Sequence, residues 1–236
     1  MPDPIRFHLD PRCPWCWQTS KWVRQLARLG VVEPSWGVFC LEVTNFPKPI
    51  EQFDVNRSQA APSLRTMVMV RDQLGEDAAG RFYEAVGTRY FDLEQDLKSP
   101  DVVKGALEDA GLDAAWHDKA LSDPATWDVV LHEHQALVRD TRSFGVPTIR
   151  MDAGTGPAIF GPVISNPPAT DDEARELWTH VAWLTRYDNF SELKRDRVTE
   201  PDLVYWRAAL ARRKAEDEAK RAAAAQEDVA GGKGMS

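Results

Sequence analysis

Two cysteines separated by two residues, between a predicted strand and a predicted helix, constrain this chain more than any other feature. The motif Cys13-Pro14-Trp15-Cys16 follows an alternating apolar run from Ile5 to Leu9 and begins a stretch of helical periodicity that reaches Leu29. A cysteine at a helix start lies near backbone N–H groups that lack partners within the helix, and these groups favour a negatively charged sulfur. Because the thiolate is the nucleophilic form of cysteine, this position indicates a reactive dithiol.

Two less reactive uses of the motif fit the sequence poorly. A zinc site takes about four ligands, but the chain has only one other cysteine, Cys40, and His132 and His134 point apart on a predicted helix. A purely structural disulfide would close a ring of four residues and would remove little loop entropy from the unfolded chain. We therefore expect thiol–disulfide chemistry at this motif, and no metal.

Composition and charge restrict the partners. The 236 residues are 43% hydrophobic and 28% charged, as in an ordinary globular protein, and the net charge of −8 argues against nucleic acid and anionic membranes. The first residues lack the basic region and the apolar stretch of a secretory signal, and no run approaches 18 apolar residues. We expect a cytoplasmic protein, where a reducing environment favours reduction of substrates over disulfide formation.

The order of the predicted elements indicates a fold class. Two alternating runs, Ile5–Leu9 and Ser35–Val43, flank the first helix as a strand–helix–strand unit with parallel strands. Further strands are predicted at 148–151 and 158–160, before a helix from Asp171 to Leu184. This order predicts an α/β thioredoxin-like fold in two pieces, residues 1–46 and 142–200, with a helical insertion at 47–141.

Helix boundaries inside the insertion follow from capping residues. Ser99-Pro100 and Ser122-Asp123-Pro124 each predict a helix start, and the second of these helices is expected to run to Phe144. Beyond the core, residues 201–236 are charged and rich in alanine, which predicts a C-terminal helix that frays into a partly disordered tail with a flexible end at 231–236.

A second motif completes the candidate site. Gly145-Val146-Pro147-Thr148 lies between a predicted helix and a predicted strand. A proline at the first position of a strand cannot donate to the ladder, and it suits a tight entry or a cis bond. Alone it would be an ordinary strand start, but with the dithiol and this element order it predicts a loop that faces the cysteines and offers its backbone to a substrate.

These motifs together resemble a known superfamily. The combination of residues 10–17, 145–148, Phe160-Gly161-Pro162-Val163 and the helix with Leu177-Trp178 resembles DsbA-like thioredoxin-fold oxidoreductases. Cys16-Trp17 and the stretch from Phe190 to Arg195 resemble, within them, the mycothiol-dependent nitroreductases of actinobacteria. The resemblance spans about residues 5–202 and leaves the tail uncovered.

The resemblance implies roles for the motif residues. Cys13 would be the attacking thiolate, Cys16 the resolving thiol and Pro147 the cis-proline. A low-molecular-weight thiol, mycothiol, would serve as reducing co-substrate, with no tightly bound cofactor, and a nitro-aromatic or related small molecule as acceptor. Two other functions fit the residues: a reductase or isomerase of protein disulfides, or a redox-controlled chaperone or binding module.

Further residues are candidates for binding or proton transfer. We expect the substrate surface to comprise Pro14, Trp15, Trp17, Val146 and Thr148, because an aromatic ligand can stack on indole rings. His8 is a candidate proton relay, although a solvated histidine at the sheet edge fits the pattern as well. Glu42 is a candidate buried base, whereas Trp22 and Cys40 are expected to be core residues.

Overall fold

A computed structural model describes residues 1–231 of the chain, with side chains up to residue 221. The predicted flexible end at 231–236 therefore lies, apart from its first residue, outside the described residues. Strands and helices occur in this order: β1 Asp3–Leu9, α1 Pro14–Arg28, β2 Val32–Val38, α2 Leu41–Thr44, α3 Ala61–Leu74, α4 Glu76–Gly87, α5 Pro100–Asp109, α6 Ala115–Ser122, α7 Ala125–Thr141, β3 Thr148–Met151, β4 Ala158–Phe160, α8 Asp171–Arg186 and α9 Val204–Gly231.

The described strands form one sheet of four, in the order β2-β1-β3-β4. β1 lies in its centre, parallel to β2 and antiparallel to β3, so that Phe7 pairs with Trp36 on one side and with Ile149 on the other. The alternating apolar side chains of β1 are fully buried, as the pattern from Ile5 to Leu9 predicts. The central position of β1 holds the loop that follows it, which carries the cysteines, in the middle of the molecule.

The second strand ends earlier than the sequence predicts. β2 covers Val32–Val38, whereas the alternation predicts a strand at 35–43. The Phe39 N–H still donates to the Leu9 carbonyl (2.8 Å), but the Leu41 N–H donates to the Asp10 carboxylate (2.7 Å). This side-chain partner satisfies the first turn of α2 and takes the chain out of the sheet.

Helix α1 follows from local sequence. Cys13 is its N-cap, Pro14 occupies its first turn, and Arg28 lies in its last turn, where a cation is favourable. Gly30 ends it in the left-handed region, with φ of 65°. Its inner face is buried, and the Trp22 ring lies 6.0 Å from Trp178 of α8, so Trp22 is a core residue as expected.

Helices α2 to α7 lie between β2 and β3, and a partly buried ion cluster ties α3 and α7 to the sheet. Glu133 of α7 binds Arg71 of α3 (2.5 Å) and Arg6 of β1 (3.1 Å), and it accepts a hydrogen bond from the Val38 N–H (3.1 Å). α7 ends at Thr141 and not at Phe144 as predicted. The cluster holds the helical segment against β1 and β2.

At the C-terminal side, Trp183 of α8 is 61% exposed and stacks on Tyr187. The predicted C-terminal helix is present as α9, which begins at Val204, and Tyr205 in its first turn packs against Tyr90, a contact that composition alone does not predict. The predicted order of elements, two strands around α1, a helical segment, then two strands and a helix, is confirmed, while the domain limits at 46, 141 and 200 stay a prediction. None of the helices within residues 1–231 is both long and apolar enough to cross a bilayer.

Candidate active site

The two cysteines of the motif lie at the first turn of α1. The Cys13 N–H donates to the Asp10 carbonyl (3.0 Å), which turns the chain from β1 into the helix. The Cys16 N–H then donates to Cys13 Sγ (3.3 Å). This is an N-cap hydrogen bond with sulfur as the acceptor, and a negative charge on the sulfur strengthens it.

The two thiols differ in their surroundings. Both are free thiols, and Cys13 is 4% exposed whereas Cys16 is completely buried. Burial raises the pKa of the Cys16 thiol well above its ordinary value, and the hydrogen bond with Cys13 raises it further. The first sulfur is therefore the one that a reactant can reach, and the second needs a base to become a thiolate.

The loop before β3 faces Cys13. The Val146–Pro147 peptide bond is cis, as the resemblance implies, and the Val146 carbonyl accepts a hydrogen bond from the Cys13 thiol (3.6 Å between Sγ and O). The Thr148 hydroxyl donates to the Gly145 carbonyl (2.9 Å) and bonds Ser143 (2.9 Å). The loop is thus held by its own hydrogen bonds, and the buried Thr148 side chain supports it from below.

Trp15 borders the dithiol. Its half-buried ring lies under the Arg197 guanidinium, at 4.7 Å from the ring centroid. The Trp206 ring of α9 packs against it edge-on, with centroids 5.6 Å apart. Pro14, also half-buried, lies beside the same helix and lines a small cavity with Trp206. The structure therefore brings Pro14, Trp15 and Val146 together around Cys13.

Trp17, expected on the substrate surface, lies in the core. It is 2% exposed and packs against Tyr83 (6.1 Å between centroids) and Phe91 (6.3 Å). A Cβ atom added at Gly87 would lie 2.2 Å from the Trp17 ring, so the helix backbone leaves no space over the indole. The position one turn into α1 points Trp17 towards the helical segment, which the motif alone does not reveal.

His8 is buried and not solvated at the sheet edge. A Cβ atom added at its partner Gly37 would lie 2.4 Å from His8 Nδ1, so this glycine makes room for the ring. Burial and, to a smaller extent, the charge of Arg6 lower the pKa of His8 to about 3, so the ring is neutral. Within residues 1–221 its ring nitrogens have no hydrogen-bond partner, and nothing joins them to either cysteine.

A buried carboxylate beside the cysteines was not among the predicted site residues. Asp10 is 1% exposed and accepts hydrogen bonds from the N–H groups of Leu41 (2.7 Å) and Arg12 (2.8 Å). Burial nevertheless raises the pKa of Asp10 to about 6. Its charge is among the causes that raise the pKa of both Cys16 and Cys40. The available signal was an acid directly after a buried strand, three residues before Cys13.

Glu42 has a structural environment. Its half-buried carboxylate binds the Arg12 guanidinium (3.1 Å) and the Ser58 hydroxyl. It also accepts hydrogen bonds from the N–H groups of Gln59 (3.1 Å) and Ala60 (3.3 Å), at the entry of α3. These partners occupy the oxygen atoms that a base would need. Arg12 is therefore paired with Glu42, and Asp10 has no ion-pair partner among the described residues.

Cys40 lies apart from the motif. It is completely buried, and burial raises the pKa of its thiol to about 12. Its N–H donates to His134 Nδ1 (3.4 Å). Cys40 is thus a small core residue, as expected, and no disulfide partner lies beside it.

A cavity of about 710 Å³ opens on the Asp10 and Arg12 side of the dithiol. Its wall combines amide, aromatic and charged groups, among them Asn45, Phe46, Lys48, Gln52, Phe53, Asp54 and Arg57. This mixture suits a polar small molecule with several hydrogen-bonding groups better than a purely apolar ligand.

Comparison with known proteins agrees with this geometry. The model of a family described as Rv2466c-like, mycothiol-dependent nitroreductase Rv2466c, matches residues 12–195. The uncharacterised protein Rv2286c of Mycobacterium tuberculosis (strain ATCC 25618 / H37Rv) is 33% identical over 195 residues, which is 82% of this chain and 82% of that protein.

Solved structures share the fold at low sequence identity. The cytosolic disulfide reductase DsbM from Pseudomonas aeruginosa with GSH aligns with a TM-score of 0.54 at 14% identity, over 76% of this chain and 99% of its own. A probable DsbA oxidoreductase from Streptomyces coelicolor aligns with a TM-score of 0.52 at 18% identity, over 85% and 97% of the two chains. The chain thus belongs to the Rv2466c-like family of mycothiol-dependent nitroreductases and is a thiol–disulfide oxidoreductase with a DsbA-like thioredoxin fold.

Proposed function

We propose that Cys13 and Cys16 are the redox centre of a reductase that takes its electrons from mycothiol. The observation that carries the proposal is the pair of contacts on Cys13 Sγ, the Cys16 N–H at 3.3 Å and the Val146 carbonyl at 3.6 Å. The first stabilises a thiolate, and the second marks the backbone edge along which a substrate sulfur can approach.

The reaction with a disulfide takes two displacements. The Cys13 thiolate attacks one sulfur, forms a mixed disulfide and releases the other sulfur as a thiolate. Cys16 loses its proton and attacks Cys13 Sγ, which releases the second substrate thiolate and leaves a Cys13–Cys16 disulfide. Two mycothiol molecules then reduce this disulfide in the same two displacements and become mycothiol disulfide. Each cycle transfers two electrons from the thiols to the substrate.

A nitro-aromatic acceptor uses the same two electrons. Reduction of a nitro group to a nitroso group consumes two electrons and two protons and releases water. The dithiol supplies these as it becomes a disulfide, and mycothiol restores it. Trp15 stays half-exposed beside Cys13 although Arg197 and Trp206 contact its ring, and its exposed part is the aromatic surface that such a ring would contact.

We assign the proton from Cys16 to Asp10. Cys16 is fully buried and its pKa is raised, so the second displacement is slow unless a nearby base accepts the proton. Asp10 is buried beside it, and the pKa of about 6 makes it mostly ionised near neutral pH yet still basic. His8, with a pKa near 3 and no bond to either cysteine, is the weaker candidate.

The large cavity next to Arg12 is the place we propose for the polar part of the low-molecular-weight thiol. The family description supports mycothiol as the donor, and the likeness to a disulfide reductase with GSH supports a small-thiol site in this fold. That reductase is cytosolic, which supports a cytoplasmic location for this enzyme as well. No tightly bound cofactor is needed, because the thiols carry the electrons.

A second candidate is reduction of protein disulfides. The Val146 carbonyl faces Cys13 and would pair with the extended backbone of a peptide. The two candidates differ in the size of the molecule that must reach Cys13, and a side-by-side comparison of substrates separates them.

The test uses mycothiol as reductant and three variants, each with one cysteine replaced. Cys13→Ser should lose at least about 1000-fold in turnover of a nitro-aromatic and of a small disulfide, because a hydroxyl is a poor nucleophile at neutral pH. Cys16→Ser should accumulate a mixed disulfide on Cys13, seen as a mass increase that a reductant reverses. Cys40→Ala, which removes a buried thiol outside the motif, is the matched control and should retain turnover. Substantial turnover in Cys13→Ser would refute the proposal.

A further inference from the structure

A segment beyond the family match borders the candidate site. Residues 197–213, which we call the C-terminal wall, follow the region 12–195 covered by the family model. The wall comprises an extended stretch and the first turns of α9. Its Arg197 and Trp206 contact Trp15 of the Cys-x-x-Cys motif from two sides, at 4.7 Å and 5.6 Å between the groups.

One end of the wall is bound to the loop that follows β4. The Ser165 hydroxyl donates to the Thr199 carbonyl (2.5 Å), and the Asp202 N–H donates to Asn166 Oδ1 (2.9 Å). Gln18 of α1 donates to the same Asn166 oxygen (3.0 Å). The wall is therefore tied to the helix that carries the dithiol.

The other end is bound to the helical segment. The Tyr205 ring packs on Tyr90 (4.8 Å between centroids) and Phe91 (5.7 Å), and Arg212 binds Glu94 (2.7 Å). Trp206 is oriented by a hydrogen bond from its indole N–H to Glu200 (2.6 Å). Aromatic packing at both rings makes this a specific contact, because the remaining residues of α9 are mostly alanine and charged residues.

We propose that the C-terminal wall determines the size of substrate that reaches Cys13, and that Trp206 is its principal specificity residue. The inference rests on the proposed function and adds to it a choice between the two substrate classes. Between the wall and the motif there is a cavity of about 130 Å³, lined by Arg12, Pro14, Tyr205, Trp206, Leu210 and Arg213.

The position of the C-terminal wall decides between the substrate classes. A small thiol or a nitro-aromatic ring approaches Cys13 with one end and needs no space beyond the motif. A disulfide in a folded protein carries chain on both sides of each sulfur, so one part must pass over Val146 and the other over Trp15. The C-terminal wall lies on the Trp15 side, and it therefore excludes protein disulfides while small molecules enter.

The first test measures access to Cys13 without any catalytic turnover. Reduced enzyme is alkylated with N-ethylmaleimide and, separately, with the same maleimide coupled to polyethylene glycol, and mass spectrometry locates the modification. In Trp206→Ala, the rate ratio of large to small reagent should rise about 10-fold. Trp206→Phe, which keeps an aromatic ring on Trp15, should stay within about twofold of the wild type. Glu218→Ala, an exposed site further along α9, is the control.

The second test measures substrate choice. Insulin reduction with dithiothreitol as reductant should rise about 10-fold in Trp206→Ala relative to reduction of a small disulfide. A Tyr205→Ala variant, which weakens the other anchor, should change the ratio in the same direction, and circular dichroism checks that both variants are folded. Equal ratios in all variants would overturn the size-selection inference while small-molecule turnover upholds the proposed function. The proposed function itself would be refuted by an active Cys13→Ser variant. That outcome is independent of the alkylation rates measured for the wall variants.

Discussion

Two carboxylates in this molecule, the fully buried Asp10 and the partly buried Glu133, have pKa values that are shifted in opposite directions. Glu133 and Asp10 each accept a backbone hydrogen bond from the region around the end of β2, at Val38 and Leu41 respectively. Glu133 also binds two arginines, Arg71 and Arg6, and the charge of Arg71 is the main cause that lowers its pKa against the effect of burial. Asp10 has no such partner, and burial raises its pKa to about 6.

The difference lies in where the cations are placed. Arg12 is the nearest cation to Asp10 along the chain, but its guanidinium binds Glu42. Charge neutralisation lowers the pKa of Glu133 and makes it a structural group that is ionised at neutral pH. A buried carboxylate that lacks neutralisation and lies beside a thiol is typical of a functional position. The two carboxylates therefore differ in their partners, which fits a stabilising role for Glu133 and the proton-accepting role that we propose for Asp10.

The largest expected effect follows from removing the charge of Glu133. Glu133→Gln removes the closest counter-ion of the buried Arg71 and leaves it only the exposed Asp72 carboxylate (3.2 Å), which should lower the free energy of unfolding by about 3–5 kcal/mol. Urea denaturation at neutral pH measures it. Glu108→Gln, at an exposed position of α5, should change stability by less than about 0.5 kcal/mol. A Glu133→Gln variant as stable as the wild type would mean that the ion cluster does not hold the helical segment.

The second effect is a dependence of folding stability on pH, which has opposite signs for Asp10 and Glu133. Asp10 titrates at about 6 in the folded state and at 3.8 ordinarily, so between these values the folded state binds more protons and stability falls as pH rises. Asp10→Asn removes this loss, and its stability relative to the wild type should increase by about 3 kcal/mol from pH 4 to pH 7.5.

For Glu133 the lowered pKa gives the reverse sign: its stabilisation is present above the ordinary pKa and is lost as pH falls through the folded pKa. The loss of stability in Glu133→Gln should therefore become smaller as pH falls. The gain of stability in Asp10→Asn should also become smaller as pH falls, so the two stability differences from the wild type change with pH in opposite directions. Denaturation curves of both variants and the wild type across this range measure the two slopes. If the two stability differences changed with pH in the same direction, the comparison would be contradicted.

The smallest effect, in free-energy terms, is kinetic. Asp10→Asn should slow the attack of Cys16 on the mixed disulfide about 100-fold at neutral pH, because the buried thiol loses its base. The attack of Cys13 on substrate, measured in the same stopped-flow experiment, should change little. In the wild type, the attack of Cys16 on the mixed disulfide should accelerate as pH rises through about 6, the pKa of Asp10. This inflection should be missing from Asp10→Asn. Equal resolution rates would remove Asp10 from the mechanism.

Local chemistry in the sequence predicted the dithiol and the loop opposite it well. The spacing of the cysteines, their place after β1 and the proline at the start of β3 are all short-range features, and the helix start at Cys13 follows from its proline. The resemblance added the cis bond at Pro147, which the structure has. These features need no knowledge of distant contacts.

What the sequence could not supply depends on long-range neighbours. Asp10 is held by the Leu41 amide thirty-one residues away, and the same contact ends β2 early. Trp17 and Trp15 have the same residue type and lie two positions apart, yet one lies in the core and the other beside the site, because α1 turns them to different sides. The docking of α9 had a signal that composition concealed: Tyr205 and Trp206 are large aromatics at the start of an otherwise alanine-rich helix.

The pairing of β1 with β3 has a consequence for how such an enzyme can diversify. Thr148 pairs with His8 in this ladder, so the separation between the Val146 carbonyl and Cys13 is set by backbone hydrogen bonds between strands. Backbone groups are the same for every residue type, and the distance therefore tolerates exchange of the surrounding side chains. Lineages that share the ladder can inherit the chemistry unchanged while they acquire new substrates through the surfaces around it.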